Sequence, residues 1–133
     1  MISVIVPSTG IRLIDNEHKD LAEIVEKILK ENMKYVELVE YYQVLADEVM
    51  IHFEHEQELM IDYKYPRQCY LKHEKDHTHK TIEILWLKNN LKNIGNNREY
   101  HAEQMSRLVK WLVYHISIED VNLGKFLVSK GLQ

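Results

Sequence analysis

Apolar side chains recur along this chain at steps of three and four, the spacing that stacks successive residues on one face of a helix. Leu21, Val25, Ile28 and Leu29 make one such stripe, Leu45, Val49 and Leu59 a second, Ile84, Leu87 and Leu91 a third, and Met105, Leu108 and Leu112 the cleanest of all. Four glycines and two prolines punctuate the 133 residues, and strand-like alternation is confined to "ISVIV" near the start. The pattern predicts mostly helix. An irregular arm to about residue 14 leads to a first helix, capped by Asp15 or Asn16 and fading near Asn32. A second runs from about Tyr35 to Asp62, where "DYKYPR" stops it and lets Pro66 open the next. The third spans about Arg67 to Leu91 and ends in "NNLKNIGNN" with Gly95 as breaker, and the fourth begins near Arg98. The expected class is all-α, an antiparallel up-down-up-down four-helix bundle with a short N-terminal arm, as one domain over residues 1–133.

Seven polar residues break into the inner stripes: His18 on the first helix, His52 and Glu56 on the second, His73 and His77 on the third, His115 and then Asp120 on the fourth. Because helix direction alternates in such a bundle, all seven fall at one end and can meet. A lone histidine on an apolar face is more often a hydrogen-bonded core residue than a ligand. Five inward histidines with two carboxylates do not fit that reading, since every member of a large buried network would need its own partner. A metal centre removes the difficulty. The other histidines, His55, His79 and His101, lie off the stripes and are expected on the solvated surface.

The donor set narrows the metal. Seven ligands exceed the four of a structural zinc site and include no thiolate, while calcium and magnesium prefer oxygen to imidazole. Two transition ions sharing Glu56 and Asp120 as bridges is the economical solution, with iron the first choice. One spacing needs explaining. His115 and Asp120 are five residues apart, about 140° around a regular helix, so a local widening, a helix end or a turn is predicted between them.

Composition excludes some partners. A formal charge of -4 and a pI near 6.1 give no basic footprint for nucleic acid or an anionic membrane. No run approaches the length of a membrane span, and "MISVIVP" lacks the basic start and length of a signal sequence, so a cytoplasmic location is expected. The single cysteine, Cys69, suits a reducing compartment and reads as a small packed hydrophobe.

The strings "IDNEH", "HFEHE", "HEKDH" and "WLVYHISIED", holding all seven residues in order over about residues 14 to 127, closely resemble the hemerythrin family, specifically its bacterial single-domain kind. The resemblance implies that His73, His77 and His115 bind one iron and His18 and His52 the other, with Glu56, Asp120 and a solvent-derived oxo or hydroxo group bridging. The first iron would then have six donors and the second five, leaving one open position for dioxygen. The implied function is reversible dioxygen binding, for storage, transport or sensing, with a di-iron enzyme that reduces peroxide or nitric oxide as the alternative. Phe53, Trp111, Leu112 and Ile116 flank the ligands and could wall a dry ligand pocket. Trp111 and Ile116 serve equally well as plain core, and Leu112 is the better pocket candidate. This sequence departs from the family pattern in having no aromatic residue before His18, Lys80 where an aromatic is common, "YP" at 65 and 66 set far from the next histidine, and Gln57 in place of a frequent glutamate.

Overall fold

The computed structural model describes residues 6–133, and among these it contains helices and no strand. The "ISVIV" alternation falls, but for Val6, outside the described residues. Helices α1 (Arg12–Lys30), α2 (Tyr35–Asp62) and α3 (Arg67–Asn89) are followed by a single short turn, α4 (Leu91–Ile94). The fourth rod is compound: α5 (Arg98–His115) runs through a π-helical turn (Ile116–Asp120) into α6 (Val121–Ser129). α1 packs against α2 and α5, and α2 packs against α1 and α3. Among the described residues, no helix is long and apolar enough to cross a membrane.

Helix boundaries follow local chemistry. Pro66, with φ fixed near -50°, occupies the cap position of α3, where its missing N–H costs nothing. Asn97 caps α5 by accepting the backbone N–H of Tyr100. Gly95 takes φ 70°, a left-handed conformation, between α4 and α5. The start of α1 corrects the sequence reading. Ile11, and neither Asp15 nor Asn16, holds the cap position. Asp15 sits inside the first turn and accepts from the Thr9 N–H and hydroxyl, each at 2.8 Å, and from Ser8 at 2.7 Å. Its charge there also suits the positive end of the helix. At the opposite end of the bundle, the Arg98 guanidinium donates to the carbonyls of Lys30 and Glu31 at 2.7 and 2.9 Å, satisfying the last turn of α1.

The apolar stripes form two clusters. The larger holds Leu21, Val25, Leu45, Val49, Phe53, Ile84, Leu108, Leu112 and Ile116 among others. The smaller holds Ile11, Ile14, Met60, Leu123 and Leu127. Along the helices that build both, a polar layer lies between them: His18 between Ile14 and Leu21, Glu56 between Phe53 and Met60, Asp120 between Ile116 and Leu123. Two surface expectations require correction. His101 is buried, because Tyr42 donates to its Nδ1 at 2.9 Å and its Nε2–H donates to the Gly95 carbonyl at 2.8 Å. Cys69 is exposed, since Tyr70 is the residue of that first turn of α3 that packs on the core, leaving Cys69 toward solvent.

Candidate metal centre

Each helix delivers its polar residues by simple periodicity. His52 and Glu56 on α2, and His73 and His77 on α3, are pairs four apart, so both members face inward. The π turn solves the five-residue interval: its wider winding brings Asp120 back beneath His115, with Asp120 Oδ1 3.1 Å from His115 Nε2. All seven residues are at most 3 % exposed.

The two carboxylates divide their oxygens between two groups of imidazoles. Glu56 Oε1 lies 3.0 Å from His73 Nε2 and 3.1 Å from His77 Nε2, while Oε2 lies 3.1 Å from His52 Nε2 and 3.8 Å from His18 Nε2. Asp120 Oδ1 faces His73 and His115, each at 3.1 Å, and Oδ2 faces His18 at 2.8 Å. Two overlapping donor sets result: Glu56, His73, His77, His115 and Asp120 in one, and His18, His52, Glu56 and Asp120 in the other, each with its ligand atoms within 4.8 Å of one another.

This donor set fits metal better than it fits itself. Donors bound at about 2.1 Å and at right angles lie about 3.0 Å apart, close to the spacings found. His77 Nε2 and His115 Nε2 face each other at 3.2 Å, aimed at common space. Glu56 Oε2, Asp120 Oδ1 and His18 Nε2 are buried without an aligned hydrogen bond, although opposite charges stand close by. Unsatisfied buried polar atoms are rare unless something else occupies the site.

In the metal-free chain, protons partly play the cation's role. Burial opposes charge on His52, but Glu56, together with the hydrogen bond to Glu17, outweighs it and raises the imidazole to about 10. His73 is likewise raised to about 10, burial being overcome by Asp120 and Glu56. His77 goes the other way, down to about 4, through burial and the neighbouring charges of His73 and His115. Glu56 is held well below the usual carboxylate range by His52 despite complete burial, and Asp120 is lowered by His115, His18 and His73 against burial and the charge of Glu56.

Around these residues, Phe53 stacks on His77 with ring centres 3.7 Å apart, and Trp111 stacks on His115 at 4.5 Å. Phe53, Trp111 and Leu112 line an apolar cavity of about 10 Å³ with Leu21, Leu45, Val49, Lys80, Ile84 and Leu108. That volume suits about one water-sized guest. Ile116 is buried in the same cluster but does not line the cavity. Lys80, one of the lining residues, folds over the Trp111 ring at 5.0 Å and pairs with Glu83 at 2.6 Å. Gln57 donates to the Tyr70 hydroxyl at 3.1 Å.

Sequence reasoning missed Glu17. Its Oε1 accepts from His52 Nδ1 at 2.9 Å and its Oε2 from His55 Nδ1 at 2.6 Å, so His55 is half-buried while His79 is exposed. These hydrogen bonds hold Glu17 below its ordinary value even though partial burial raises it. The signal was an acidic residue one place before a predicted ligand, since ligating histidines commonly donate their outer N–H to a carboxylate.

A bundle that gathers five imidazoles and two carboxylates from all four rods defines a metal-binding helical protein. The comparisons with known proteins agree. The hemerythrin model, described as the hemerythrin HHE cation-binding domain, matches residues 9–127, so this chain belongs to the hemerythrin family. A bacteriohemerythrin of Clostridium acetobutylicum is 30 % identical over 118 residues, covering 84 % of this chain and 88 % of that one. Two crystal structures, one of a leucine-to-phenylalanine mutant and one of a hemerythrin with a leucine-to-tyrosine substitution, share the fold with TM-scores of 0.81 at 19 % identity, covering 95 % of this chain and 98 % of theirs.

Proposed function

We propose that this chain binds dioxygen reversibly at a non-heme di-iron centre, as a carrier, store or sensor and not as an enzyme. His73, His77 and His115 would hold one iron, His18 and His52 the other, with Glu56 and Asp120 shared. Iron bound there would supply the electrons and the coordination site that a diatomic gas requires. One observation carries the reading: the carboxylates split their oxygens between three imidazoles on one side and two on the other. That inequality gives one half of the centre fewer protein donors and so a place for a small ligand.

The protein's own residues would then protect what is bound. Phe53, Leu112 and Leu21 keep the adjoining cavity apolar and too small for more than about one guest, which limits water and protons. Two carboxylates serve the pair, whereas bundle di-iron oxidases use about four, and fewer anionic donors favour the ferrous state over further oxidation. Anaerobic loading with ferrous iron should give two irons per chain. Air should develop a charge-transfer colour that evacuation removes over repeated cycles. One iron per chain, or prompt irreversible bleaching, would overturn the proposal.

A further inference from the structure

We propose that Glu17 is a positioning residue for the two-histidine half of the centre, acting through His52 and itself held by His55. The inference rests on the di-iron reading. A histidine that ligates through Nε2 carries its proton on Nδ1, and an acceptor at that proton fixes the tautomer and the plane of the ring. Glu17 is such an acceptor: its carboxylate reaches from α1 to α2, with one oxygen on the Nδ1–H of His52 at 2.9 Å and the other on His55 at 2.6 Å.

The other inward histidines lack this support. Nδ1 of His18, His73 and His77 makes no hydrogen bond. The nearest carboxylate to His77 Nδ1 is Glu74 at 3.9 Å, and that to His115 Nδ1 is Asp76 at 3.7 Å, both beyond hydrogen-bonding distance. Among the described residues, then, the anionic acceptor stands behind only one ligand, and that ligand lies in the half with fewer donors. An anion accepting from His52 strengthens its Nε2 as a donor and favours the more highly charged metal. Glu17 therefore biases the half of the centre where the gas would bind toward giving up electron density. His55, half-buried beside it, keeps the carboxylate from turning to solvent.

A purely structural link between α1 and α2 would have different consequences, and Glu17→Gln separates the two. The amide keeps an acceptor of the same size and removes the charge. With both irons retained, its midpoint potential should move positive by about 60 mV, which corresponds to a tenfold weaker preference for the ferric state. Glu17→Ala, which removes the acceptor too, should release one of the two irons to a chelator 10–100-fold faster while the other stays, the range roughly typical of such outer partners. Asp76→Asn serves as comparator: lacking a hydrogen bond to His115, it should shift the potential far less. An unchanged potential in Glu17→Gln, an equal shift in Asp76→Asn, or equal release of both irons from Glu17→Ala would overturn the assignment. Fewer than two irons in the unmodified protein would instead overturn the di-iron reading, and is measured before any variant is made.

Discussion

Replacing Glu56 by Gln in the metal-free protein tests the electrostatics of the centre without disturbing its volume. Glu56 is fully buried and stands within 3.1 Å of His52, His73 and His77. Removing one partner of a buried ion pair costs about 3–5 kcal/mol, and because the imidazoles can shed their protons the lower end applies. For a chain of this size about 3 kcal/mol lowers Tm by roughly 12 °C. The loss must also depend on pH. His52 and His73 are raised from 6.5 to about 10, so the stability they contribute is fully present below pH 6.5 and is lost as pH rises through about 10. Glu56 is lowered, so its contribution is present above its unfolded value of 4.5 and is lost as pH falls through the folded one. The windows overlap between pH 4.5 and 6.5, where the variant should be penalised most. Urea denaturation at pH 5.5, 7.5 and 10.5 should show the penalty shrinking by roughly half or more at the alkaline end. A penalty that is absent, or that stays flat across these pH values, would refute the assignment of charge in this cluster.

On the proposed di-iron reading, Leu112→Asn should leave metal content unchanged but accelerate oxidation, followed as loss of the charge-transfer band, because a polar group would draw water into the cavity. Tyr42→Phe should cost about 1–3 kcal/mol in urea denaturation, since it strips His101 Nδ1 of its buried donor. Gly124→Ala should loosen the arm: an added Cβ would stand 2.1 Å from the Thr9 carbonyl oxygen, so hydrogen exchange at the Ile11 amide should quicken. Loading divalent metal at pH 7.5 should release protons from both His52 and His73, read as buffer-dependent heats in calorimetry.

The helices were legible because burial imposes a period on the sequence. The bounds of α2, 35 to 62, follow directly from its stripe and from Pro66 beyond it. The widened turn after His115 was legible too, from an incompatibility: two inward polar residues five apart cannot share a face of a regular helix. What escaped detection depended on partners in other elements. His101 was assigned to the surface although it lies four residues before Met105 and seven before Leu108, on the buried face of α5, where Tyr42 from α2 and the Gly95 carbonyl satisfy its ring. Asp15 looked like a helix cap, because no sequence rule shows that Thr9 would turn back to meet it. Glu17 stood beside His18 as a visible acidic residue, but its two imidazole partners lie 35 and 38 residues away, so its pairing was not legible.

The polar layer between two apolar clusters raises the question of how the chain folds before metal arrives. Five imidazoles and two carboxylates left neutral or unpaired would oppose folding strongly, since each isolated buried charge costs several kcal/mol. The raised imidazoles of His52 and His73 supply positive charge against Glu56 and Asp120, while His77, lowered to about 4 by burial and its charged neighbours, stays neutral. Protons therefore stand in for metal on the oxygens of the same two carboxylates. The substitution is incomplete: His18 Nε2, Glu56 Oε2 and Asp120 Oδ1 still lack aligned hydrogen bonds, because protons sit along donor–acceptor lines whereas these atoms converge on shared space. A cation at each convergence point would satisfy all three atoms together, so metal binding should add to the stability of the fold.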